Sequence, residues 1–243
     1  MKKSRILITL LLTVIYSSTV AQSTSLSPGV DIMSRYIWRG LNLGGSSPSI
    51  QPSIKLTHNN FTLGTWGAFD LGNNLTIQET DLYLTYSPVQ MLSFTLTDYF
   101  FADELATNNH YFEYNEDSTA HVLEFAASFN GTDKIPFTFL AAVNFWGADA
   151  RKSDNKKQYS TYFELGYKRM FDDVECKIFV GGTVNDPEDS ETGFYAESAG
   201  ITNIGITAIR KIEISSKFNI PITGSFIINP KSEKIFLVIG FSF

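Results

Sequence analysis

The chain ends Ile235-Phe236-Leu237-Val238-Ile239-Gly240-Phe241-Ser242-Phe243, with Leu237, Ile239, Phe241 and Phe243 at period two. Period two is the spacing of side chains along one face of a β-strand. Alone, the stretch also fits the buried last strand of a soluble sheet. The rest of the chain decides between the two.

The same period runs through the sequence. A first strand reads from Val30 to Arg39, with Val30, Ile32, Tyr36 and Trp38 opposite Asp31, Arg35 and Arg39. Others follow at Ser49–Thr57, Phe61–Asp70, Leu75–Tyr86, Met91–Phe101, Thr119–Phe129, Pro136–Trp146, Gln158–Tyr167, Val174–Gly182 and Gly200–Ile209. "RK" (Arg210-Lys211) reads as a turn into a strand from Ile212 to Ile220. A loop over Thr223–Lys234 then leads to the terminal stretch. The sum is about twelve strands of nine to eleven residues, the length that crosses a bilayer at a tilt.

Connections alternate in length. HNN, SPVQ, NGTDK, KRMFDD and RK are short; most links between them are long and polar. A soluble sandwich has no reason to sort its loops by parity, whereas an outer-membrane barrel has short periplasmic turns and longer extracellular loops. The expected fold is therefore all-β: an antiparallel, up-and-down transmembrane β-barrel, apolar outward and polar inward. In that setting the terminal Phe243 resembles the recognition signal for outer-membrane insertion machinery.

The N-terminus agrees. Lys2, Lys3 and Arg5 precede an apolar core from Ile6 to Ile15, and Thr19-Val20-Ala21 supplies small residues for cleavage. This predicts a signal peptide over residues 1–21 and a single barrel domain over 22–243. Cleavage would take the 19 basic side chains to 16 against 25 acidic, a net charge of −9. That excludes nucleic acid as a partner and leaves outer-membrane lipid, lipopolysaccharide and small polar solutes. Cys176 is the only cysteine, so no internal disulfide forms. Aromatics reach 14% while mean hydropathy stays at −0.03, as strands with one apolar and one polar face would give.

Ser34 to Leu56, "SRYIWRGLNLGGSSPSIQPSIKL", resembles the TorF-type porins, a group of bacterial outer-membrane proteins. The shared features are Ser34-Arg35-Tyr36, Arg39-Gly40 and Gln51-Pro52, with similar stretches at Glu79–Tyr86 and Thr95–Phe100. The resemblance implies a barrel with a channel-like role and carries no substrate.

Inward positions collect Asp31, Arg35, Arg39, Lys55, Glu79, Asp81, Glu124, Glu164, Glu175, Lys177, Glu213 and Lys217. Charges in a narrow lumen must be hydrated or paired. They form either a solute-selecting constriction or a set of structural pairs. The constriction candidates are Arg35, Arg39, Lys55, Glu79, Asp81, Glu124, Glu164, Lys177 and Lys217. Arg35 is expected to line a water path or to pair with Glu79 or Asp81. Tyr36 and Trp38 are expected on the lipid face near the outer interface.

Asp98 shares parity with Leu92, Phe94 and Leu96, so it is expected at the extracellular interface or at a bulge. His58, His110 and His121 lack the serine two residues on that a barrel phospholipase needs, so no enzyme is expected. The acidic loop from Asn185 to Gly193 lacks the ligand spacing of an EF-hand loop, and no cofactor or metal is expected. Two function classes remain: a passive pore for small polar solutes, or a closed-lumen barrel that is structural or binds through its external loops.

Overall fold

The computed structural model describes residues 24–72, 78–102, 110–216 and 218–243. The leader read at residues 1–21, the first residues of the strand read from Leu75, and Lys217 lie outside them. Twelve strands close into one antiparallel barrel: β1 (Thr24–Met33), β4 (Ser49–His58), β5 (Phe61–Asp70), β6 (Gln78–Val89), β7 (Leu92–Ala102), β8 (His121–Phe129), β9 (Phe137–Gly147), β10 (Thr161–Phe171), β11 (Val174–Thr183), β12 (Gly200–Ser215), β13 (Phe218–Asn229) and β14 (Lys234–Ser242). β1 pairs with β4 on one side and β14 on the other, which removes every sheet edge. Two further strands of two residues each, β2 (Ile37–Trp38) and β3 (Leu41–Asn42), pair only with each other.

The outward face is apolar across strands as well as along them. Leu26, Leu56, Leu63, Leu84, Leu96 and Phe125 are successive register partners from β1 to β8, and all six are exposed. A band of this kind is the outward surface that a membrane-spanning barrel needs. Inward neighbours are hydroxyls that pair across strands: Thr57 with Thr62 (3.1 Å), Thr85 with Thr95 (2.9 Å) and Thr207 with Ser225 (2.8 Å).

Most connections at one rim are tight. Asn59 and Asp172 take φ of 52° in the links between β4 and β5 and between β10 and β11, a conformation their short polar side chains tolerate. The other rim carries, among the described residues, 34–48, 71–72, 110–120, 148–160, 184–199 and 230–233.

Three boundaries differ by more than a few residues from the sequence reading. The first barrel strand is Thr24–Met33 rather than Val30–Arg39, because the chain leaves the wall after Met33. β12 passes straight through Arg210-Lys211 to Ser215, since nothing there breaks the period set by Ile204, Ile206, Ile212 and Ile214. β13 accordingly runs to Asn229, through most of what reads as a final loop.

Candidate functional site

After Met33 the chain turns into the lumen. Ser34 fixes the exit, with its N–H donating to the Ile239 carbonyl (2.8 Å) and its Oγ accepting from the Ile239 N–H (2.9 Å). β2 and β3 then form a small hairpin around Arg39 and Gly40, whose φ values are 51° and 80°. Two consecutive positive φ angles are what a two-residue hairpin turn requires. Gly40 has no alternative, since a Cβ there would lie 1.9 Å from the Thr202 carbonyl oxygen. The tip is pinned to the wall: Asn229 Nδ2 donates to the Gly40 carbonyl (3.0 Å), and Thr202 Oγ1 donates to the Arg39 carbonyl (3.3 Å).

Arg39 reaches from the tip to β8 on the far wall. Nη2 donates to Glu124 Oε1 at 2.8 Å and Nη1 to Glu124 Oε2, a two-pronged ion pair. Nη1 also donates to the Tyr195 hydroxyl. Tyr99 OH donates to Glu124 Oε1 (3.0 Å) and Tyr195 OH to Oε2 (3.4 Å). The guanidinium carbon lies 4.4 Å from the Trp38 ring and 4.8 Å from the Tyr162 ring. Side-chain exposure is 9% for Arg39 and 1% for Glu124, so the pair is withdrawn from water. Apolar packing completes the closure: Ile37 and Met33 lie on Ile227, Phe236 and Val238, all buried inside the wall.

A second cluster adjoins the first through Tyr162. Its hydroxyl donates to Glu164 Oε2 (2.9 Å) and accepts from Asn203 Nδ2 (2.9 Å), while Lys177 Nζ pairs with Glu164 Oε1 (2.7 Å). A third comprises Glu79 and Asp81, two residues apart on β6, with Tyr36 facing both, its ring centroid 5.3 Å from that of Trp66 and tilted 55° to it.

The hairpin tip divides the lumen. On the side of the tight turns is a cavity of about 310 Å³ whose lining includes Arg39, Gly40, Glu164, Glu175, Lys177 and Asn203. On the loop side is one of about 550 Å³ whose lining includes Gly40, Asn42, Tyr195, Asn229 and Lys231. Gly40 lines both.

The structure thus gathers Arg39, Glu124, Glu164 and Lys177 around one constriction and sets Glu79 and Asp81 beside it. Lys55 lies apart, exposed near the turn rim and with no ion pair among the described residues. Arg35 is half-buried where the chain bends inward and, among the described residues, forms no ion pair with Glu79 or Asp81. Tyr36 and Trp38 are not lipid-facing. Both belong to the inward segment, and Tyr36 is buried. Sequence reasoning missed Tyr99, Tyr162 and Tyr195, of which Tyr195 arrives from the folded-in loop 184–199.

Asp98 lies on the outward face near the loop rim, without a bulge. His121 Nδ1 sits 2.7 Å from Asp98 Oδ1, and Tyr114 donates to Oδ2 (3.0 Å). The segment carrying Tyr111 and Tyr114 folds over the outside of the wall, with Tyr114 stacked on His121 at 4.2 Å. Partial desolvation, and then the Asp98 carboxylate, push the Tyr114 phenol well up.

Among known proteins, a family model described as "Bacterial protein of unknown function (Gcw_chp)" matches residues 17–133, a span that contains β1 to β8 and the hairpin. No curated protein matches the chain. Among solved structures, one titled "KdgM porin" is similar at 9% identity and a TM-score of 0.47, covering 88% of this chain and 98% of that one.

Proposed function

We propose that this protein is an outer-membrane channel for small polar solutes, closed at mid-lumen by the β2–β3 hairpin. One observation carries the reading: a single glycine, Gly40, lines the cavities on both sides of the tip, so the plug is one turn thick. The lipid-facing belt, the sequence-read leader and the TorF-type resemblance support the location. Phe243 at the end of the closing strand would serve recognition by the insertion machinery, and the belt would meet lipid and lipopolysaccharide.

A closed scaffold that acts through its loops is the second reading. It is favoured by the water-free Arg39–Glu124 pair and by the wall bonds to the tip. Planar-bilayer recording separates the two. The channel reading expects rare openings from the intact protein and steady conductance when residues 36–43 are replaced by a short Gly-Ser link. No current from a correctly folded deletion variant would overturn it in favour of the scaffold.

A further inference from the structure

Beside the plug, two carboxyls have no counter-ion among the described residues. Glu79 and Asp81 point inward from β6 and are 2% and 6% exposed. In register, Asp81 sits between Trp66 and Tyr99, and Glu79 between Ala68 and Phe101. Glu79 Oε1 and Asp81 Oδ1 are buried with no hydrogen-bond partner. The two side chains are two residues apart on one strand and so share its inward face, and carboxyls set side by side there hydrogen-bond only by sharing a proton.

Among the described residues, the titratable groups that face the pair are phenols and carboxyls. Tyr36 faces the pair from the inward segment, Tyr83 from β6, Tyr99 from β7 and Glu124 from β8, with Asp98 on the outer side of β7. The cations in the constriction, Arg39 and Lys177, are committed to Glu124 and Glu164. Like-charged carboxylates shut away from water cannot both ionise without strong mutual repulsion.

We propose that Glu79 and Asp81 form a proton-operated latch on the hairpin: one shared proton holds the Tyr36 leg against β6, and its loss releases that leg. The proposal rests on reading the hairpin as the plug of a channel. Its sign follows from the proton count. The closed, dry arrangement holds a proton that the hydrated, released one gives up. Acid therefore favours closure, and rising pH favours opening. The ring contact between Tyr36 and Trp66 makes the movement visible, because release exposes Trp66 to water.

The test uses the full chain refolded in detergent and in planar bilayers between pH 5 and pH 9. Emission is read in a Trp146→Phe background, which leaves Trp66 and Trp38, both at the hairpin, as reporters. The latch expects a red shift and at least a tenfold rise in open probability toward pH 9. E79Q/D81N, neutral at every pH, should stay closed with unshifted emission, and E79Q alone should flatten the response if the double variant does not fold. Emission and current that ignore pH in the unmodified latch would overturn the proposal. So would an E79Q/D81N protein, or E79Q where the double variant does not fold, that responds like the parent. A shift in emission with no current, even from the hairpin-deletion variant, would leave the latch standing and remove the channel reading.

Discussion

Arg39→Ala is the sharpest probe of the constriction. The substitution removes two charge-assisted hydrogen bonds to Glu124, one to Tyr195 and the guanidinium's seat on Trp38 and Tyr162. It also strands a carboxylate that is 1% exposed. Breaking a buried pair by deleting one partner costs about 3–5 kcal/mol. Tyr99 and Tyr195 still donate to the stranded carboxylate, so the expected loss lies near the lower end, about 3 kcal/mol. If that energy belongs to the plug, it shifts the ratio of closed to open by about a hundredfold. Guanidinium unfolding in micelles measures the stability loss, and bilayer recording measures the opening. A cycle with Glu124→Ala separates the pair from its surroundings and should return a coupling of about 2 kcal/mol or more. A loss under about 0.5 kcal/mol, the level of exposed ion pairs, would refute the claim that this pair is dry.

Gly40→Ala places a Cβ against the Thr202 carbonyl at a φ of 80°, so it should free the tip and raise conductance about as strongly as Arg39→Ala; an unchanged bilayer trace would count against a pinned tip. Leu96→Arg, in the middle of the outward row, should destabilise the barrel by about 2–4 kcal/mol, while Thr95→Arg, on the inward face, should cost less; equal losses in micelle unfolding would contradict the assigned faces. His121→Ala should cost about 2 kcal/mol by uncovering Asp98 on the lipid side, and pairing it with Asp98→Leu should recover most of that; no recovery in the same unfolding assay would show that His121 acts elsewhere.

The wall was legible because its signal repeats. Each strand restates the same alternation, so an error at one boundary does not spread, and the closed twelve-strand barrel matches the reading even where Arg210-Lys211 was mistaken for a turn. The plug was not legible, because Tyr36 and Trp38 continue the period-two pattern of Val30 and Ile32. Alternation says nothing about whether a segment lies in the wall or inside it. Two local features do. Arg39-Gly40 is a two-residue turn flanked by apolar Trp38 and Leu41, and the terminal stretch is apolar on both faces, with Phe236 and Val238 inward. A lumen wall of that kind has to be covered by something dry. Lys55 shows the converse: inward parity alone placed it among the candidates, but depth and partners, which parity does not encode, keep it out of the constriction.

The closure combines two polar holds of different chemistry. A purely apolar plug would be the tighter solution, because a buried ion pair loses in desolvation about what it gains in attraction. The wall already supplies apolar packing through Ile227, Phe236 and Val238, so the charges at the tip are not needed to fill space. What they add is a defined seat, since a two-pronged guanidinium–carboxylate pair tolerates one orientation only. Such a seat is indifferent to pH, because a guanidinium keeps its charge throughout the working range. The carboxyl pair under Tyr36 has the opposite character: it lacks a fixed cation and depends on a proton for its neutrality. Position is thereby set by Arg39, and release is left to Glu79 and Asp81. Replacing Arg39 should then weaken closure equally at pH 5 and pH 9, whereas neutralising Glu79 and Asp81 should abolish the pH response and leave the seat intact. Recording the four combinations of R39A with E79Q/D81N over that range tests the division. Effects that fail to combine independently would mean that the two holds are one network.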